Sequence, residues 1–98
     1  MITIENIIES SKPHPNPPGR HTRLSNGIVE VSIVGGSRGL YGDFKNTFEV
    51  AIFDSKTREF KTKTFFPENN DDVISYIDPS KLVELVNKIF IDDNFQVL

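Results

Sequence analysis

The segment Thr47–Asp54 constrains the fold of this chain more than any other, because it has the pattern of a β-strand throughout. Phe48, Val50 and Ile52 lie on one face of a two-residue period, and Glu49 lies on the other. Aromatic and β-branched residues of this kind fit a half-buried pleated surface. We therefore expect Thr47–Asp54 to be the central strand of a small sheet.

Three more segments are candidates for the same sheet. Ile28–Val34 alternates in the same way and follows an Asn-Gly turn, so we expect it to be the first main strand. Glu59–Phe66 also alternates, and its two lysines would protect the edge of the sheet. We predict it as the third strand. Val73–Ile77 is either a short fourth strand or a turn of helix.

The clearest helix signal begins at Asp78, which suits the N-cap position, with Pro79 at the first helical position. The residues that follow form a broad apolar stripe at helical spacing: Leu82, Val83, Leu85, Val86, Ile89 and Phe90. Such a stripe needs an apolar partner. We therefore predict an α+β fold, in which a three- to four-stranded antiparallel meander carries one C-terminal helix packed on one face.

The N-terminal part has a different character. Ile2–Glu9 favours a short helix with Thr3 as its N-cap. Four prolines within Ser10–Arg23 favour a polyproline-like arm with little core of its own. We accordingly expect residues 1–23 to form a short helix and a Pro-rich arm, residues 24–98 to form a single α+β domain, and the tail from Asp92 to dock on that domain.

Composition excludes several classes of protein. The chain has no cysteine, so disulfides, thiolate metal sites and cysteine nucleophiles are absent. No apolar run approaches the roughly 20 residues of a membrane helix, and the N-terminus lacks a secretory signal, which favours the cytoplasm, or the host cytoplasm for a viral protein. The net charge is −3, and residues 67–98 hold seven Asp/Glu against two Lys/Arg. This balance does not demand nucleic acid.

The long glycine-rich loop, residues 35–46, is the sharpest candidate for a binding site. It offers Arg38, Tyr41, Asp43 and Lys45 to a ligand or partner, and loops of this length are often functional. A strand follows the loop, whereas phosphate and dinucleotide motifs require a helix there. The loop therefore has two interpretations, a structural connection or a site for a small molecule or a partner.

A second candidate is the basic hairpin, residues 56–63. Lys56, Arg58, Lys61 and Lys63 lie close to Phe60 and Phe65, and such a mixture can bind single-stranded nucleic acid. The same lysines also suit edge protection, and Phe60 also suits the core.

Catalytic and metal chemistry find little support in the sequence. His14 and His21 are the only histidines and lie on the Pro-rich arm, without the rigid set of ligands that zinc requires. Asp71-Asp72 and Asp92-Asp93 lack the spacing of a calcium loop. No Ser-His-Asp set and no buried carboxylate pair can be assembled. We therefore expect no enzyme, no metal and no cofactor.

A series of short motifs resembles small uncharacterised proteins of bacteriophages. In order they are Ser25-Asn26-Gly27, Val31-Ser32-Ile33, Gly39-Leu40-Tyr41-Gly42, Phe48-Glu49-Val50-Ala51 and Asp71-Asp72-Val73-Ile74, followed by a short amphipathic helix. The resemblance spans roughly Leu24 to Phe90 and implies a phage accessory protein of unknown biochemical role, with no catalytic residues to carry over. The absence of a catalytic motif, together with the long Gly-rich loop, the exposed arm and the acidic helix end, favours a small non-enzymatic protein that binds a host or viral protein, or a second copy of itself through the sheet edge or the outer face.

Overall fold

The computed structural model describes residues Met1–Leu98 as an α+β domain built on a six-stranded antiparallel sheet. The strands are β1 (Lys12–Pro13), β2 (Arg20–Ser25), β3 (Val29–Gly35), β4 (Phe48–Asp54), β5 (Val73–Ile77) and β6 (Gln96–Val97), and the helices are α1 (Ile4–Glu9), α2 (Thr62–Phe65) and α3 (Pro79–Ile89). The strand order is β1-β2-β3-β4-β5, and β6 also pairs with β2. None of the helices is long and apolar enough to cross a lipid bilayer.

The pairing of β3 with its two neighbours defines the core side of the sheet. Val31 lies opposite Leu24 of β2 and Ile52 of β4, while Ile33 lies opposite Val50. Directly paired residues point to the same side of an antiparallel sheet, and all five of these side chains are fully buried or nearly so. The strands predicted at Ile28–Val34 and Thr47–Asp54 are thus confirmed to within one residue, but their predicted places in the sheet are wrong. The middle strand of the order is β3 and not β4, and β1 and β2 precede β3 because the N-terminal segment also pairs.

The apolar stripe of α3 is buried in the same cluster. Leu82, Leu85 and Val86 belong to the hydrophobic core that contains the inward residues of β3 and β4. The helix begins where the sequence indicates, because an Asp78 carboxylate oxygen accepts the backbone N–H of Lys81 at 2.8 Å. A cap of this kind satisfies one of the unpaired N–H groups at the helix start.

The helix α1 adds to this core from the N-terminal side. Thr3 caps α1, and Ile2 and Ile7 are buried in the cluster. The side-chain amide of Asn87, in α3, accepts the N–H of Ile2 and donates to its carbonyl, each at 2.8 Å. This pair of hydrogen bonds links α1 to α3.

The predicted third strand, Glu59–Phe66, is wrong. Only Phe60 makes a bridge to β4, after which the chain turns into the short helix α2. The buried hydroxyl of Thr62 accepts the N–H of Ile52 at 3.0 Å and donates to the carbonyl of Asp72 at 2.6 Å. The backbone therefore leaves the sheet at Thr62, and β5 takes the place beside β4, which makes Val73–Ile77 a strand.

The sheet is also larger than predicted because both terminal segments join it. Strand β1 and the first part of β2, Arg20–Arg23, lie within the segment expected to be a polyproline-like arm, and the proposed boundary between residues 23 and 24 falls inside β2. The Thr22 hydroxyl is buried and donates to the carbonyl of Ile7 at 2.6 Å. At the other end, Val97 of the predicted tail pairs with Leu24. Six strands therefore replace the expected three or four.

The buried stripe of α3 predicts a large effect of truncation. The Leu82 side chain has 0% exposure, so Leu82→Ala should lower the free energy of unfolding by about 2–5 kcal/mol. The matched control is Ile91→Ala, because Ile91 is 79% exposed and its truncation should change stability by less than about 0.5 kcal/mol. Urea unfolding followed by circular dichroism measures both, and equal effects would contradict this account of the core.

Candidate functional site

The glycine-rich loop is shaped by close backbone contacts. A β-carbon at Gly42 would lie 2.7 Å from the α-carbon of Phe48, and one at Gly35 would lie 2.7 Å from the backbone nitrogen of Phe44. Real side chains do not approach backbone this closely. Gly42 therefore allows the loop to lie directly against the start of β4, and Gly35 allows the loop to fold back so that Phe44 lies against the end of β3.

Asp43, a predicted ligand contact, holds the end of this loop. One of its carboxylate oxygens accepts the backbone N–H groups of Lys45, Asn46 and Thr47 at 2.9, 2.7 and 3.0 Å. The hydrogen bonds from Thr47 and Asn46 favour the charged form most strongly and lower the pKa of Asp43 to about 2. The carboxylate is thus occupied by its own turn.

The other three predicted loop residues make different contacts. Arg38 and Lys45 are exposed, and the carbonyl of Arg38 accepts the side-chain amide of Asn16 at 3.0 Å. The backbone N–H of Tyr41 donates to the Glu49 side chain at 3.1 Å, which links Tyr41 to β4. Of the four predicted residues, Tyr41 is the one that meets a further exposed side chain.

Tyr41 forms an exposed aromatic pair with Tyr76 of β5. The ring centroids are 6.0 Å apart, and the side chains are 48% and 63% exposed. The Tyr76 N–H donates to the Tyr41 carbonyl at 2.9 Å, and the φ of Tyr76 is +54°, an uncommon value for a bulky residue. Sequence reasoning missed Tyr76, because no glycine or asparagine signals the left-handed backbone there.

A groove of about 560 Å³ lies beside this pair, between β5, α3 and the segment after α2. Its apolar lining includes Phe66, Ile74 and Leu85. Charged side chains of both signs also line the groove: Glu68, Asp78, Lys81, Glu84 and Lys88. Because β5 is the last strand of the sheet, its outer edge has no strand partner.

The basic segment at residues 56–63 does not form four free cations. Arg58 lies 2.7 Å from Glu30, Lys61 lies 3.8 Å from Glu59, and Lys63 lies 3.7 Å from Asp72. Lys56 is exposed and has no carboxylate within 4 Å. Three of the four cations that the sequence groups together are therefore paired with a carboxylate.

Glu30 is a buried carboxylate shared by two arginines. Its side chain is 4% exposed, and it accepts hydrogen bonds from Arg23 at 2.8 and 3.1 Å and from Arg58 at 2.7 and 3.4 Å. Burial acts to raise the pKa of Glu30, but the hydrogen bonds from Arg23 and Arg58 outweigh it and hold the pKa below its ordinary value. Sequence reasoning missed this cluster because its members lie on different strands and turns.

The two histidines meet, although no metal cluster surrounds them. The rings of His14 and His21 are 5.8 Å apart edge to face, and His14 Nδ1 accepts the N–H of Asn16 at 3.0 Å. Burial and the nearby positive groups lower the pKa of His21. No three His, Cys, Asp or Glu side chains of the chain are arranged to hold a metal ion.

Comparison with protein-family models, curated proteins and solved structures found no match to this chain. The resemblance to bacteriophage proteins therefore stays a prediction.

The turn around Asp43 predicts a specific pH response. A lowered pKa means that Asp43 stabilises the folded loop above the ordinary pKa of an aspartate, and that this support is lost as the pH falls toward about 2. The protection of the Lys45, Asn46 and Thr47 amides from hydrogen exchange, taken relative to an unstructured amide at the same pH, should fall over that range and also in Asp43→Ala at neutral pH. Asp43→Asn keeps an acceptor oxygen and serves as the control, while unchanged exchange in Asp43→Ala would refute the role.

The backbone conformation of Arg58 predicts a difference in stability between two substitutions of this residue. Its φ is +65°, a backbone conformation that costs a non-glycine residue roughly 1 kcal/mol. Both Arg58→Ala and Arg58→Gly remove the guanidinium from Glu30, but the glycine variant also relieves this cost. Chemical denaturation should therefore find Arg58→Gly more stable than Arg58→Ala by about 1 kcal/mol, and NMR titration should find a raised Glu30 pKa in both variants. The reverse order of stability would contradict the strain.

Proposed function

We propose that this protein is a small, non-enzymatic binding domain that holds an extended segment of another protein in the groove between β5 and α3. The observation that carries the proposal is the exposed Tyr41–Tyr76 pair at the rim of that groove. A phage accessory protein that acts in the host cytoplasm on a host or viral protein fits this activity.

The groove has the size and lining of a ligand-binding site, which can accept one side chain of an extended peptide. Ligand pockets commonly have volumes of roughly 300–1,000 Å³ with apolar walls and a few polar groups, and the volume here is about 560 Å³. Phe66, Ile74 and Leu85 offer contact to an apolar side chain of the partner. Lys81 and Lys88 have no carboxylate within 4 Å, so they are available to an acidic residue of the partner.

The edge of β5 supplies a second mode of contact. Extended peptides bind exposed sheet edges through main-chain hydrogen bonds, and pockets beside the edge select their side chains. The Asn69 side chain already donates to the carbonyl of Val73 at 3.1 Å. The partner would therefore pair with the middle of β5, around Ser75, where the groove opens.

The tyrosine pair suits an anchor for such a partner. Tyrosine is enriched at the energetic centres of protein interfaces, because it combines a large apolar ring with a polar tip. The left-handed backbone of Tyr76 also costs free energy, and strained residues of this kind cluster at functional sites. The small-molecule alternative at residues 35–46 receives less support, because Asp43 is committed to its own turn.

Selection of peptides from a random displayed library tests the proposal. We expect selected peptides to share an apolar residue next to an acidic one. Chemical shift changes in ¹⁵N spectra should map to β5, α3 and the Tyr41 segment. Tyr76→Asn removes the ring while tolerating the left-handed backbone, and it should weaken binding at least about tenfold, in line with the loss of an interface hot spot.

The matched control is Ile28→Asn, because Ile28 is exposed by 72% and is not among the residues that line the groove. Its affinity for the same peptides should equal that of the wild type. Light scattering is measured in parallel. A mass of twice 11.1 kDa that Tyr76→Asn halves would show that a second copy fills the edge, and it would overturn binding of a different protein. Shifts confined to other surfaces would also overturn the proposal.

A further inference from the structure

We propose that the face of the sheet opposite the core binds single-stranded nucleic acid. The site is a strip made of Arg23, Arg58, Phe53 and Phe60, called here the Arg–Phe strip. It differs from the groove in position and in chemistry, and it places nucleic-acid contacts on the sheet face instead of on the lysines of residues 56–63.

The strip is set by the strand register. Glu30 lies opposite Ser25 on one side and Phe53 on the other, and Phe53 bridges to Phe60. These paired side chains share one face, the face that does not carry Val31 and its partners. Neighbouring strands are about 4.8 Å apart, so this row extends roughly 14 Å across the sheet.

The two arginines bring donors to the middle of the row. Each guanidinium has five N–H donors, and Glu30 uses two from each arginine, which leaves six of the ten for other acceptors. The side chains of Arg23 and Arg58 remain 38% and 50% exposed. Two guanidiniums against one carboxylate leave one positive charge at the surface, where a phosphate group can bind in a bidentate manner.

The aromatic end of the strip offers a surface for a base. The Phe53 and Phe60 rings are 4.7 Å apart, and Arg58 lies 5.1 Å from the centre of the Phe53 ring. Phe60 is 47% exposed, so one of its sides is open to a stacking partner. Aromatic rings beside basic groups on an open sheet are the usual means of binding single strands, because every base has a face that stacks.

Donor groups along β2 extend the strip in the other direction. The His21 ring lies two residues before Arg23 on the same face, and Lys12 of β1 lies opposite His21 and donates to the Leu98 carbonyl at 2.8 Å. Ser10–Val29 contains no acidic residue. Within β2, β3 and β4 the carboxylates on this face are Glu30, which is neutralised by the arginines, and Glu49, which accepts the Tyr41 N–H. Glu59, next to Phe60, lies 3.8 Å from Lys61.

Fluorescence anisotropy tests the proposal with labelled 12-nucleotide oligo(U) and oligo(dT) and with a 12-base-pair duplex. We expect the single strands to bind more tightly than the duplex, with a dissociation constant on the order of 10–100 µM at low salt. Contact of the two arginines with one phosphate predicts a slope of about −0.7 in a plot of log K against log salt. Phe60→Ala should weaken binding by roughly 5- to 100-fold, the effect of losing one stacked base.

The matched control is Ile91→Ala, since Ile91 is an apolar residue that is 79% exposed, follows α3 and lies outside the strip. Its binding should remain that of the wild type. The proposal is overturned if anisotropy does not change up to about 200 µM protein, beyond the range of weak non-specific binders. It is equally overturned if Phe60→Ala binds the oligonucleotides like the wild type. The same holds if inorganic polyphosphate displaces the oligonucleotides equally well from the wild type and from Phe60→Ala. Neither result bears on the groove, because Tyr76 lies outside the strip.

Discussion

The pairing of β3 with β4 is the constraint on which the rest of the structure depends. Val31 opposite Ile52 and Ile33 opposite Val50 place a row of fully buried side chains on one side of the sheet. A shift of one residue in either strand would turn that row toward the other face. The apolar stripe of α3 would then have no apolar surface to pack against. The groove and the face opposite the core, which carries Glu30, would be lost as well.

The glycine-rich loop connects the two core strands β3 and β4 and positions one surface residue beside them. The loop leaves β3 at Gly35 and returns against the start of β4. A β-carbon at Gly35 or Gly42 would collide with backbone atoms, so only glycine fits at these two positions. Asp43 closes the loop through three backbone hydrogen bonds. Tyr41 is thereby held next to β5, where it meets Tyr76 at the rim of the groove. The loop acts as a rigid support for one aromatic side chain.

The two faces of the sheet have different physical requirements. The core face needs only apolar volume, which Leu24, Val31 and Ile52 supply. The opposite face buries one carboxylate, and a buried charge requires charged partners with hydrogen bonds. Arg23 and Arg58 meet that requirement for Glu30. The same arginines are half-exposed, so an arrangement that satisfies the fold also presents positive groups to solvent.

The amino-acid sequence by itself determined the strands at Ile28–Val34 and Thr47–Asp54 and the start of α3 at Asp78, because alternation and capping are local signals. It did not determine the fate of Glu59–Phe66, whose alternating pattern suits a strand. Only the tertiary structure decided that Thr62 is buried between Ile52 and Asp72 and that β5 lies beside β4. The candidate sites depend in the same way on contacts between segments far apart in the chain, such as Tyr41 with Tyr76 and Glu30 with Arg58. Local sequence patterns indicate which residues favour burial, whereas long-range packing determines which of those residues come into contact.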